Sequence, residues 1–540
     1  MKSNSINKIF LLTLLASLSL TSCEDFLTED NRSNVTAESY YITKSGFEAL
    51  INANYSQLRD VYGGEPWLFS AGTDLYAEGR SQEPEGLSQY SDLNPSSSGV
   101  NQLYNTCYSA IQLANQALHY ADLTEQSSSV STSKGEVKFL RALAYFNLVQ
   151  TYGGVALVKE YINEPVLEFE RNSAEEVYAF IISDLEEAIN LVNDGANNGR
   201  VNKRAVQHLL GKVYLTRGYE SFGTPADFST ASSILDQAIA GQGLDIPYTQ
   251  LWRPENDGNA ETLFAVQYSA ASISADPFKY GNSQARYFGP YLGGSEVAGN
   301  APQRSYNLLP TDFALGLFTE DDDRWEGSFM VRVYDRYYDE FDVDDKSSLG
   351  IFHYYAPAWT TAEDSIAFVT KYPSATYHQY GSYSSQTVSS DYQTIPLKKF
   401  DDPKSSFGGS TSTRDIVIAR LGETYLLAAE AYLKAGDAAK GLERLNVVRT
   451  RAGVAPATMG EFDIDYILDE RARELLGEYH RWFDLKRTGK LVERTAAHHR
   501  LISVENFNGA NGELKILRPI PQAAIDLNQN RNFPQNPAYN

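Results

Sequence analysis

Cysteine is almost absent from these 540 residues, with Cys23 and Cys107 the whole supply. A disulfide-stapled scaffold is therefore excluded. Basic residues are also short: 46 Lys and Arg face 69 Asp and Glu, a formal net charge of -23. Such a surface repels nucleic acid. The apolar stretch from Ile9 to Leu20 falls short of the ~20 residues that a bilayer span needs. His-Glu-x-x-His, Gly-x-Ser-x-Gly and a phosphate-binding glycine loop are all missing. Acids are so numerous that a glycosidase-like carboxylate pair would arise by chance, so counting them identifies no enzyme. The reading is of a non-enzyme. What is plentiful is aromatic: 36 Tyr, 25 Phe and 5 Trp beside only 3 Met. That supplies a packed core and leaves tyrosine over for surfaces that touch ligands.

The amino terminus carries Lys2 and Lys8, then the short apolar run, then "LSLTSCED" at residues 18–25. A basic start, a short apolar stretch and small residues before a break predict a secretory signal peptide. Leu20-Thr21-Ser22-Cys23 resembles the bacterial lipobox, which implies cleavage before Cys23 and acylation of it. One acyl chain anchors a protein only marginally, so several on one cysteine give stable attachment without a membrane-spanning helix. With Cys23 acylated, Cys107 has no disulfide partner and reads as a small buried hydrophobe.

Residues 24–35, "EDFLTEDNRSNV", are polar and acidic and read as a tether. Helical periodicity follows. "SGFEALINANYSQLRDVYG" puts Phe47, Leu50, Ile51, Tyr55 and Leu58 near one face, and "VNQLYNTCYSAIQLANQALHYA" does the same with Leu103, Tyr104, Ala110, Ile111, Ala114 and Leu118. "SKGEVKFLRALAYFNLVQTYGG" stops at paired glycines, and Ser173-x-x-Glu176 spells a capping box. Short turns, small residues at contacts and aromatics between them predict tetratricopeptide-like stacking, without a strict 34-residue consensus. Residues 245–410 differ: they are rich in Tyr, Ser, Gly, Asp and Pro, with short strand patterns in "RWEGSFMVRVYDRYYDEFDV" and "GIFHYYAPAWT". Irregular sequence on this scale inside a folded chain is usually functional loop. The predicted fold class is mainly all-α, a tetratricopeptide-like helical scaffold with a large loop-rich ligand-binding insert. Its predicted divisions are a signal peptide at 1–22, a tether at 23–35 and one domain over 36–540. Within that domain the scaffold covers 36–244 and 411–490, the insert 245–410 and a carboxy-terminal segment 491–540.

"ERARELLGEYHRWFDLKRTGKL", residues 470–491, reads as an amphipathic helix with Leu475, Tyr479 and Trp482 on one face. Glu474, Glu478 and Arg481 are spaced to pair along it. This stretch resembles the SusD/RagB-like family of outer-membrane lipoproteins of Bacteroidetes. "EVKFLRALAYFNLVQTYGGVALV" and the terminal "LRPIPQAAIDLNQNRNFPQNPAY" resemble the same family in the same order. The resemblance implies an α-helical scaffold with a loop-rich ligand surface, on the cell surface at the outer membrane. It implies capture of oligosaccharide and its delivery to a SusC-like TonB-dependent transporter. Peptide capture of the RagB kind uses the same scaffold and stays open, as does a structural adaptor with no small ligand. Glu24-Asp25 resembles the acidic export signal of such lipoproteins.

Sugars offer C–H faces that stack on aromatic rings and hydroxyls that pair with planar polar groups. The candidate ligand residues are therefore Trp67, Asp74, Arg80 and Tyr90 in "EPWLFSAGTDLYAEGRSQEPEGLSQYSDLN", Tyr287 and Tyr291 in "ARYFGPYLGG", and Trp359 in "YAPAWTT". The resemblance implies a core aromatic at Trp252, and Trp482 reads as core. No cofactor is expected. "DDDR" at 321–324 and "DVDD" at 342–345 lack the EF-hand pattern and read as solvated acids, with a calcium site from distant loops left open. His498-His499 reads as a surface helix end without a third ligand.

Overall fold

The computed structural model describes residues 36–79, 85–273, 281–290, 302–387, 393–405 and 411–540. Helix α1 (Lys44–Tyr62) starts where Thr43 accepts the Gly46 N–H, and it buries Phe47, Leu50, Ile51 and Leu58. Helix α2 (Val100–Leu123) buries Leu103, Tyr104, Cys107, Ile111 and Ala114, while Ala110 and Leu118 fall at the edge of the stripe. Burial raises the Cys107 thiol pKa far above its ordinary value. Helix α3 (Ser128–Tyr152) is covered on all sides from Phe139 onward, as a helix in the middle of a stack must be. It stops at Gly153, whose φ of +74° suits glycine. At Gly154 a side chain would lie 2.3 Å from the Asn172 carbonyl oxygen. Helix α4 (Ala174–Leu191) opens with the expected reciprocal box between Ser173 and Glu176. Helices α5 (Lys203–Arg217) and α6 (Pro225–Ile239) complete the first set.

Each helix packs on its successor from α1 to α6, and α6 packs directly on α7 (Leu421–Ala435). Helix α7 in turn carries α8 (Ala438–Arg451) and α9 (Ile464–Glu474). The stack therefore continues across the irregular region as if it were not there. Among the described residues, seven short strands lie at Tyr76–Ala77 (β1), Thr262–Val266 (β2), Leu309–Pro310 (β3), Arg332–Tyr334 (β4), Ile351–Tyr355 (β5), Thr376–His378 (β6) and Ile416–Arg420 (β7). Antiparallel pairing of β2 with β7 brings Thr262 opposite Arg420 and closes the root of the irregular region. Inside it β4 pairs with β5 and β5 with β6. The strand pattern expected around residue 324 is instead helix Asp323–Ser328, because Asp322 accepts the Arg324 N–H and caps it. One hydrophobic core runs from Leu58 to Phe533 and includes both Trp325 and Trp482, so the irregular region shares the scaffold's interior. Trp252 is 7% exposed and packs edge-on to Phe400.

Residues 470–491 do not form one helix. Gly477, at φ +78°, separates α9 from α10 (Arg481–Arg487), and a side chain there would meet Phe400 at 2.7 Å. The acids of this stretch also do not pair along it. Glu474 accepts from Arg324, Arg420 and Arg451; Glu478 accepts from Arg420 and Lys399; Arg481 reaches Asp74 instead. Arg324 binds Asp322 in a fork, at 2.7 and 2.8 Å, and Glu470 at 2.7 Å. "DDDR" is thus partly interior, contrary to the solvated reading, with Asp322 and Arg324 both buried. A second knot joins Arg471 to Asp484 and Arg487 to Glu430. Buried cations persist only when paired and hydrogen-bonded, and here the pairing bolts the irregular region to α9.

The carboxy-terminal segment is a strap. Asn536 donates to the carbonyls of Tyr152 and Arg518, while Arg518 lies over the Trp482 ring at 4.8 Å. Gln535 and Ile520 exchange two hydrogen bonds.

Candidate functional site

The segment 284–289 runs beside 304–308. Leu308 N–H donates to the Tyr287 carbonyl at 3.1 Å and Ser305 N–H to that of Arg286 at 2.9 Å. The pairing of β3 with β1 continues this ribbon, with Gly79 N–H on the Tyr306 carbonyl. Two tyrosines project from it, both half-buried. Tyr306 holds a φ of +50°, a conformation that costs a non-glycine residue about 1–3 kcal/mol and that gathers at functional sites. The Trp67 indole lies against the Tyr287 hydroxyl; burial, with Glu65 nearby, raises the pKa of that hydroxyl. Between them Arg286 is part-buried, and its Nε has no hydrogen-bond partner among the described residues.

The surface continues past β3. Phe313 stacks on His498, with centroids 4.1 Å apart. Gln386 accepts from the Asp312 N–H and donates to the His498 carbonyl, and Tyr380 beside them is 37% exposed. Aromatic faces and planar amides are among the groups that hold sugar rings and hydroxyls in fixed directions.

Three predicted ligand residues are interior, which corrects the reading of their loop as a ligand-facing surface. Trp67 is 4% exposed, Asp74 0% and Tyr90 2%. Asp74 binds the Arg481 guanidinium through both oxygens, at 2.7 and 2.5 Å. Tyr90 donates to the Gly72 carbonyl at 2.6 Å and accepts from Trp482. The Arg481 and Trp482 partnerships join residues 407 and 392 positions apart, so local spacing gave no sign of them. The structure does bring Trp67 and Tyr287 together, one supporting the other. Trp359 is half-buried and packs on Trp325 at 5.7 Å, in the turn before helix Ala362–Lys371. Cys23, Arg80 and Tyr291 lie outside the described residues. Sequence reading passed over Arg286, Tyr306, Phe313 and Tyr380, and took His498 only as a surface helix end. Arg286 had one usable signal, its place next to Tyr287 in a glycine-bounded stretch. His499 is not a surface residue: it is 4% exposed and faces Glu78 at 3.4 Å. Among the described residues no group of three or more His, Cys, Asp and Glu could hold a metal ion. Among them, too, no helix is long and apolar enough to cross a membrane.

The sequence pattern of the SusD family matches residues 260–539, more than half of the chain. The chain belongs to the SusD family. A second family pattern, described as "Starch-binding associating with outer membrane", matches residues 25–215. The SusD-like protein P25 of Formosa agariphila is 25% identical over 540 residues, covering 94% of each chain. A SusD homologue from Bacteroides thetaiotaomicron superposes with a TM-score of 0.74 at 21% identity, over 95% of this chain and 100% of that one. A laminarin-binding SusD-like protein gives 0.69 at 24% identity, over 92% and 100%. The SusD fold is therefore that of a mainly helical scaffold, as the sequence predicts.

Proposed function

We propose that this SusD-family chain is a non-catalytic surface receptor that captures oligosaccharide and passes it to a SusC-like TonB-dependent transporter. Acyl chains on Cys23 hold it at the outer membrane, after removal of residues 1–22 and with 23–35 as tether. The observation that carries the binding part is the ledge of Arg286, Tyr287 and Tyr306, preset by Trp67 and by backbone pairing. A ring held in place before binding loses little freedom when a sugar stacks on it. Relatives whose names describe laminarin or starch binding support glycan as the ligand class.

Calorimetric titration of the folded protein against neutral polysaccharides, laminarin and starch included, tests this reading. Tyr287→Ala is expected to weaken the ligand that binds by about tenfold or more, the effect of losing a central aromatic anchor. Binding unchanged in Tyr287→Ala would remove the ledge, and no binding to any glycan would remove the receptor. Intact mass of the membrane-extracted protein checks the anchor: an unacylated start contradicts it.

A further inference from the structure

Helix α2 turns a second surface to solvent. An open shelf of about 800 Å³ is lined by Gln57, Asn105, Ser109, Gln112 and Gln116, with Tyr108 and Tyr161 flanking them. Residues 105, 109, 112 and 116 follow the three- and four-residue spacing of one helix face, over a rise of about 16 Å. Among the described residues no charged one lines the shelf, although the chain carries 69 acids. The neighbouring depression near the start of α3 is lined by Lys44, Glu48, Glu125, Glu136 and Arg200 among others. Neutrality is thus local to this face of α2.

The rings are held before anything binds. Tyr108 donates its hydroxyl to the Ala156 carbonyl at 2.8 Å, and the Tyr161 hydroxyl accepts from Gln116 at 3.2 Å. Gln112 donates to the Ile162 carbonyl at 2.7 Å, which leaves its carbonyl oxygen free to accept. Asn105 and Ser109 are exposed, and neither side chain has a hydrogen-bond partner among the described residues. Amides and hydroxyls that both donate and accept, between two fixed rings and without charge, match a chain of neutral sugars better than an acidic glycan or a cation.

We propose that this face of α2 is a second binding site, for a neutral oligosaccharide laid along the helix. The proposal rests on the receptor reading above, and titration separates the two. Four full-length proteins are compared: wild type, the ledge variant Arg286→Ala/Tyr287→Ala, the shelf variant Gln57→Ala/Asn105→Ala/Ser109→Ala, and the combination. Each is titrated with neutral hexasaccharides, laminarihexaose and maltohexaose among them, and with a mixed peptide digest. The ledge variant is expected to keep weak glycan binding. Adding the shelf substitutions should weaken that residual binding by about fivefold or more. If the ledge variant binds no glycan, or the combination binds as the ledge variant does, the shelf is not a glycan site although the receptor reading survives. Peptide binding lost with the shelf substitutions also overturns the proposal. If wild type binds no glycan at all, the receptor reading itself falls. Circular dichroism checks that the variants fold, which is expected because the truncated shelf side chains at 105 and 109 hold nothing.

Discussion

Glu474→Ala is expected to cost about 3–5 kcal/mol of unfolding free energy, the penalty for stranding buried charge. This carboxylate is 0% exposed. Its Oε1 accepts from Arg420 at 2.7 Å and from Arg451, and its Oε2 accepts from Arg324 at 3.4 Å. All three guanidinium groups keep other acids: Glu478, Glu261 and Asp322 respectively. What they lose is the acid that joins them. The damage should therefore appear first as loosening of the irregular region from the scaffold. Chemical denaturation reads the total, and hydrogen exchange reads where the amides open first. Expected early opening lies around Asp323–Ser328 and the β2–β7 pair, which Arg324 and Arg420 anchor. Glu326→Ala is the control: its pair with Arg332 has both partners at least 40% exposed, and such surface pairs are worth about 0–1 kcal/mol. Equal losses in the two variants would mean that the buried knot adds nothing beyond an exposed pair.

Acid should weaken the protein well before its carboxylates protonate. Burial holds His480 down at about 3, against the pull of Glu423, and His353 and His378 at about 4. Lys212 lies 3.3 Å from His480 Nδ1, and His480 Nε2 faces Glu423 at 3.4 Å, an arrangement that suits the neutral ring. In the unfolded chain each imidazole takes its proton near pH 6.5, which favours unfolding as pH falls below that value. By pH 5 each such group removes about 2 kcal/mol. Asp415 works the other way, since burial raises it to about 6 and lets the folded state bind its proton first; its return is about 1.4 kcal/mol by pH 5. A net loss of about 3–5 kcal/mol between pH 7 and 5 is expected. Below about 4.5 a further loss sets in, because Glu470 is held at about 2 and Glu478 and Asp484 below their usual range. Their stabilisation is present above the unfolded pKa and disappears as pH drops through the folded one. Denaturation midpoints at successive pH values check this, and His480→Gln should flatten the slope between pH 6.5 and 5. A flat profile over that range would refute it.

The helical half of the molecule was readable because its information is local. Phe47, Leu50, Ile51 and Leu58 recur at helical spacing, Ser173 and Glu176 cap each other across three residues, and Gly153 ends α3 where the paired glycines stand. Residues 470–491 show where local reading stops. Glu474, Glu478 and Arg481 satisfy the spacing of intrahelical pairs, but Gly477 breaks the helix and every partner comes from elsewhere in the chain. Asp74 and Tyr90 failed as surface candidates for the same reason. A polar residue in a glycine-rich stretch looks like a ligand contact until Arg481 or Trp482 is seen against it. Tyr287 is half-buried rather than interior and so stays a candidate, while Trp67, expected beside the ligand, lies in the core.

Because α6 touches α7 directly, everything between them is a detour that begins and ends at almost one point. A linker of a few residues from the end of α6 to the start of α7 would span what some 180 intervening residues now span. Recombination or deliberate grafting at that junction could exchange the irregular region in one step. A replacement would have to supply again the apolar surface that the detour shares with the scaffold, the strand that pairs with β7 and the charges that dock it.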